Sequence, residues 1–238
     1  MLNLNDVQFK LQNAFLDLEF EEGRHLYKVK NKLLTSTTGM IKQHTPDFNE
    51  KEAAGNTARK LQVKPSEILL EWKNKREKAA HQGTKVHLFA ENYIVDNELI
   101  PNCRQEEAVK KFIHENILSG KYTVLTTELK MYSEKYNYAG TSDLLLWDNE
   151  LGEIVIADYK TNYDLDKQYG YLLEPFSYTP NTPYCKYQIQ LSYYQILLEE
   201  IELYAKQRLI IWLRTDGTYE LRNCNDFTTI LKDYLQQC

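Results

Sequence analysis

The sequence predicts a mixed α/β protein with a central sheet flanked by helices, and three observations carry that expectation. The apolar run Ile154-Val-Ile-Ala157 has the length and β-branched content of a buried strand. The segment before it, Asp148-Asn-Glu-Leu-Gly152, has the composition of a hairpin turn, so the strands on either side should be antiparallel neighbours. Helical apolar spacing brackets this region in the order helix, three strands, helix, strand, which is a layered α/β order. The chain has 238 residues and no stretch rich in Gly, Ser or Pro divides it, so one domain over 1–238 is expected. Within it, about 1–80 reads as a helical, basic N-terminal region, 81–214 as the core, and 215–238 as a C-terminal hairpin strand and helix.

Taken in order, residues 9–20 carry helical apolar spacing and 25–34 reads as a short hairpin strand. A helix begins at Pro65, because proline suits a first turn and Ile68, Leu69, Trp72 and Ala79 recur at helical intervals. Gly83 is expected to interrupt or kink it. Residues 84–97 then continue helically on a stripe of Val86, Ala90, Tyr93 and Ile94, with His87 and Glu91, four apart, flanking the stripe on one side. A short helix over 105–118 leads into strands at 122–132, 138–147 and 153–161. Residues 162–184 are irregular, rich in Tyr and Pro, and too long for a mere connector. A helix over 187–204, a strand at 209–213, a turn at Asp216-Gly217, a strand at 219–222 and a terminal helix complete the chain. There is no internal repeat.

Hydrophobic content of 42% and charged content of 26% are ordinary for a folded soluble domain. No apolar run is long enough to span a bilayer, and the first six residues lack the basic and apolar regions of a secretory signal, so the cytoplasm is the expected compartment. The four cysteines, at 103, 185, 224 and 238, contain no Cys-x-x-Cys pair, which argues against a zinc ribbon and gives no disulfide framework. A net charge of −5 leans against a protein that coats nucleic acid. The charges are segregated, however. Arg24, Lys28, Lys30, Lys32 and Lys42 lie in an acid-free stretch, Lys73, Lys75, Arg76, Lys78 and Lys85 crowd a helix, and Glu199, Glu200 and Glu202 lie near the C-terminal helices. Such segregation allows a basic groove on an acidic protein.

The buried strand ends in Asp158 and Lys160, two residues apart and therefore on one face. The hairpin brings Asp143, in Gly140-Thr-Ser-Asp-Leu-Leu-Leu-Trp147, against Asp158. Two such carboxylates repel, so one pKa should rise or a cation should be recruited. Magnesium, hard and oxygen-seeking, is the natural occupant, and Lys160 is placed to orient water or stabilise charge on a phosphorane. His87 would be a further ligand, which makes manganese acceptable. Glu128 reads equally as an exposed strand residue or as a supporting group at the site, and Glu91 as a solvent-facing residue or as a carboxylate that steadies water on the metal.

These residues resemble the PD-(D/E)xK nuclease superfamily, in particular its RecB-type and mitochondrial-genome-maintenance-exonuclease branch; phage recombination exonucleases belong to the same broad group. The resemblance runs from about residue 35 to 213 and rests on Trp72, Gly83-Thr84-Lys85-Val86-His87, Glu128, Ala139-Gly-Thr-Ser-Asp143, Asp158-Tyr-Lys160-Thr and Gln190-Leu-Ser-Tyr-Tyr194. It implies a restriction-endonuclease-like core beneath an N-terminal helical arch. It also implies a metal set of His87, Asp143, Asp158 and Tyr159, and a catalytic set of Lys160, Asp158, Asp143, Glu128, Gln190 and Tyr194. The implied function is Mg2+- or Mn2+-dependent hydrolysis of single-stranded or frayed DNA ends in recombination, repair or replication, with a helicase or single-strand annealing protein as partner. If phage-encoded, the protein would work in the host cytoplasm. Two alternatives share the site: a non-catalytic DNA-binding or recombination-accessory protein, and a structure-selective endonuclease. Relatives that carry an iron–sulfur cluster have three cysteines grouped downstream of the core; the wide spacing here leads us to expect none. The tyrosines of 163–187 read either as stacking platforms for unpaired bases or as packing residues with a wet hydroxyl.

Overall fold

The computed structural model of the chain describes residues 3–237; the fourth cysteine, Cys238, lies outside the described residues. Helix α1 (Leu4–Gln12) opens with a capping box in which the Asn3 side chain accepts from the Asp6 amide at 3.0 Å and Asp6 accepts the Asn3 amide at 3.2 Å. The helical spacing over 9–20 does not persist as one helix. Phe15 takes a left-handed backbone (φ 57°), and Leu18–Glu21 becomes strand β1, paired antiparallel with β2 (Leu26–Val29). Residues 25–34 form not one strand but most of a hairpin, β2 and β3 (Lys32–Ser36), turned by Lys30 and Asn31 at φ 50° and 63°. The N-terminal region is therefore helical only in part, and its three strands extend the main sheet.

Helix α2 (Thr37–Gln43) is capped by the Ser36 hydroxyl, and α3 (Glu50–Leu61) packs on the start of α4 (Pro65–Val95) through Ala54, Ala58 and Ile68. Helix α4 runs unbroken through Gly83, so the expected interruption is absent and the boundary near residue 81 falls inside a helix. Its middle, from 70 to 85, is largely exposed. The basic residues there are mostly matched by acids: Lys73 pairs with Glu77, Lys75 with Glu71 and Arg76 with Glu50. What looked like a basic stripe is in large part an exposed helix face of alternating sign, where each pair contributes only a few tenths of a kcal/mol, about 0.3–0.5.

The last turns of α4 dock on the sheet beside α5 (Arg104–Phe112), which continues as a π-helical turn, Ile113–Leu118. The remaining strands are β4 (Tyr122–Ser133), β5 (Tyr138–Asp148), β6 (Glu153–Lys160), β7 (Ala205–Leu213) and β8 (Tyr219–Asn223). The eight-stranded mixed sheet has the order β1-β2-β3-β5-β6-β7-β8, with β4 also paired to β5. As the turn composition predicts, β5 and β6 are antiparallel; β6 and β7 are parallel, joined by a crossover through α6 (Pro183–Glu199). One core packs Leu145, Ile156 and Ile210 under α6 and α7 (Thr228–Leu235). The other packs Leu144, Leu146, Val155, Ala157 and Ile211 under α4 and α5. Successive β-strand residues thus serve opposite cores, which is why the run reads as continuously apolar. Each large side chain buried here contributes about 1.5–3 kcal/mol.

The segment 161–182 is irregular, as expected, but firmly seated: Leu165, Leu172 and Phe176 are buried, and His44 bonds the Glu174 carbonyl (3.0 Å) and the Tyr193 hydroxyl (2.9 Å). Among the described residues no helix is long and apolar enough to cross a membrane.

Strand β5 sets the position of everything that follows. On one edge it pairs with β4 along its length, while on the other it pairs with β3 only at Tyr138 and Ala139 and with β6 only from Leu144 onward. Residues 140–143 fall in the gap between those two ladders.

Candidate functional site

Where the β5–β6 ladder stops, carboxylates replace it. The Asp143 amide donates to Asp158 Oδ1 at 3.2 Å, and the Tyr159 amide donates to Asp143 Oδ2 at 2.8 Å. Asp158 also accepts from Lys160, which is on its own face of the strand, and the ammonium lies 4.6 Å from the centre of the Tyr187 ring. The expected meeting of two acids and an amine is therefore found, held by backbone donors as well as by the lysine.

On the other edge of β5, Glu128 lies opposite Asp143, between the paired residues Thr127↔Leu144 and Leu129↔Ser142. Its φ of 49° is unusual for a side chain other than glycine and costs on the order of 1–3 kcal/mol. From above, α4 brings His87 Nδ1 to 3.3 Å from Asp143 Oδ2. Donor atoms of His87, Glu128 and Asp143 lie within 4.8 Å of one another, one nitrogen and two carboxylate oxygens in a half-buried place. Such a set suits a divalent cation, and its imidazole favours manganese over magnesium.

Two members of the expected metal set stand differently. Asp158 lies beside this trio, engaged by Lys160 and the Asp143 amide. Tyr159 touches the site through its amide; its ring belongs to the α4–α5 core, edge-on to His87, and its buried hydroxyl has no hydrogen-bond partner among the described residues. Glu91, one turn beyond His87, lines the cavity. Gln190 donates to the Tyr194 hydroxyl at 2.6 Å, and both residues line the cavity from α6. Gly140 allows that contact, since a Cβ there would fall 2.6 Å from Tyr194 Cε1 and 2.3 Å from Thr37 Oγ1.

Electrostatics divide the acids. Burial, reinforced by Asp143, pushes Glu128 up to about 7. Burial and Asp143 likewise push Asp158 up to about 6, against the pull of Lys160. Burial alone would also raise Asp143, but His87, Lys160 and the Tyr159 amide outweigh it and hold that carboxyl below its ordinary range. Burial works to lower His87, and Asp143 overcomes it, leaving the imidazole above its usual value. Lys160 is raised by Asp158 and Asp143 despite its burial, so it stays an ammonium. The site thus holds one imidazole–carboxylate contact and one ammonium–carboxylate pair, with Glu128 the acid least able to bear charge.

These groups open into a cavity of about 690 Å³ bounded by α4, by the β1–β2 ribbon and by the β4–β5 hairpin. Sequence reasoning left out the ribbon wall, with Phe20, His25 and Tyr27, because only the three-dimensional return of β1 and β2 brings it there. It also left out Leu88 and gave Thr84 no role beyond its place in a motif, although their spacing from His87 and Glu91 is that of one helix face. No family model and no curated protein matches the chain.

Proposed function

We propose that the protein is a divalent-cation-dependent phosphodiester hydrolase of the PD-(D/E)xK type, acting on single-stranded or frayed DNA from an end. The observation that carries this reading is the convergence of His87, Glu128 and Asp143 donor atoms beside the Asp158–Lys160 pair, all lining one cavity. The motif order of the sequence supports it, because each of those residues falls within a segment that resembles the superfamily.

His87, Glu128 and Asp143 would hold the cation, with Asp158 next to them and the Tyr159 amide fixing Asp143. A cation bound there supplies Lewis acidity toward a phosphate oxygen and a hydrolytic water. Lys160 Nζ donates to a developing negative oxygen, and Asp158 aims that ammonium. Tyr194 and Gln190, bonded to each other, present a fixed polar pair along the wall beside the reacting phosphate.

Incubation of a circular single strand and its linearised form with manganese or magnesium tests the reading. The expected result is digestion of the linear form with the circle spared. Cleavage of both points instead to an endonuclease, and cleavage of neither, with binding that weakens steeply with salt, to a DNA-binding protein without catalysis.

A further inference from the structure

Thr84, His87, Leu88 and Glu91 are spaced i, i+3, i+4 and i+7, so they share one face of α4, and all four line the cavity. This face is distinct from the buried stripe Val86, Phe89, Ala90 and Tyr93 that docks α4 on the sheet. A hydroxyl, an imidazole and a carboxylate suit a polar site. Leu88 does not: it is 56% exposed, has no part in the core, and puts apolar surface next to His87.

Across the cavity the ribbon presents Phe20, which is half-buried. Lys130 Nζ lies 5.5 Å from its ring centre and the His25 ring stands edge-on at 5.1 Å. His25 is held in a left-handed backbone (φ 51°) after the 3-10 turn Glu22–Arg24, its amide donating to the Glu22 carbonyl at 3.1 Å. Its ring nitrogen lies 3.4 Å from the Tyr27 hydroxyl, which is in turn 2.9 Å from Thr141 Oγ1, two residues from Asp143. Among the described residues Lys130 forms no ion pair. Apolar surface on both walls, with an ammonium and an imidazole beside one of them, matches a nucleotide: a base with two apolar faces on a charged backbone.

We propose that Leu88, Phe20, His25 and Lys130 form a subsite that holds one unpaired nucleotide next to the phosphate at the cation cluster. The inference rests on the nucleic-acid reading above. Leu88 takes one face of the base and Phe20, whose ring also packs on Tyr27 at 4.7 Å, takes the other once the Lys130 ammonium swings from over that ring to the phosphate, which it shares with His25. Leu88 and Phe20, which hold the base, offer no donor or acceptor to read its edge, so the subsite accepts any base.

The test measures binding of a short fluorescein-labelled oligothymidylate by anisotropy, with calcium as the cation. A set of strands, each carrying one abasic position, is compared with the intact strand. The wild-type protein should bind one of these abasic strands about tenfold more weakly than the intact one. Leu88→Ala should weaken the intact strand about tenfold and remove that penalty, and Phe20→Ala should do the same. Lys130→Gln should weaken intact and abasic strands alike and flatten the salt dependence. Because Leu88 lies outside the core, its variant keeps the fold, and retention of the wild-type penalty in Leu88→Ala overturns the subsite. The readout does not need hydrolysis. Base-dependent binding without cleavage defeats the hydrolase reading and leaves the subsite standing, whereas cleavage with an unchanged penalty does the reverse.

Discussion

His87 Nδ1 lies 3.3 Å from Asp143 Oδ2, so the 31-residue helix α4 and the central strand β5 meet at an imidazole–carboxylate contact. Both residues belong to the proposed cation cluster, and the imidazole must give up its proton before it can serve as a ligand.

Cation binding should therefore release protons. Glu128, near 7, is partly protonated around neutrality, and Asp143 holds the His87 imidazole above its ordinary value against the effect of burial. Manganese affinity should rise steeply from about pH 6 to pH 8. Titration calorimetry in two buffers of different ionisation enthalpy should show a net release of protons at pH 7. A pH-independent affinity would place the cation elsewhere.

Glu128→Gln should stabilise the cation-free protein in a pH-dependent way. The folded pKa of Glu128 is about 7, above the ordinary 4.5, so folding favours its protonated form. The cost of its charge is absent below about pH 4.5, grows between 4.5 and 7, and is full above 7. Discounted for partial solvent exposure, the gain of the variant should be about 1–2 kcal/mol at pH 8 and near zero at pH 4. Urea unfolding at the two pH values, in the presence of a chelator, measures it. The same substitution should weaken manganese binding, which separates the stability of the site from its use.

Gly140→Ala should destabilise the fold by about 1–3 kcal/mol, because Thr37 Oγ1 and Tyr194 Cε1 occupy the space a Cβ needs. Thr37 is itself tied to the Ala139 carbonyl at 3.0 Å, so it yields less readily than Tyr194. Displacing Tyr194 disturbs its bond to Gln190, and activity should fall further than stability. A shift of the thermal midpoint combined with turnover at a temperature where the variant remains folded would show both effects.

Much of the sheet and part of the site were legible in the sequence. The hairpin joining β5 and β6 announces itself in the Asp148–Gly152 turn, and an Asp-x-Lys at the end of an apolar strand leaves little choice about which face both side chains share. The left-handed turn at Lys30 and Asn31 carries no glycine, so the sequence holds no strong signal for the ribbon. Phe15 likewise breaks a helical pattern at a residue that gives no composition signal. The opposition of Glu128 and Asp143 depends on the register of β4 against β5, which shifts at 124–126 and is invisible to periodicity alone. The position of Asp158 beside the cation trio, and not within it, follows from where the β5–β6 ladder ends.

The most direct measurement is the rate of end-labelled single-strand cleavage by wild-type protein and by Lys160→Ala, with manganese, alongside manganese affinity for both. Lys160 pairs with Asp158 and lies outside the cation trio, so the expected result is loss of cleavage by at least about a hundredfold while cation binding persists. Equal cleavage by the two proteins, or none by the wild type with either cation, would contradict the proposed chemistry.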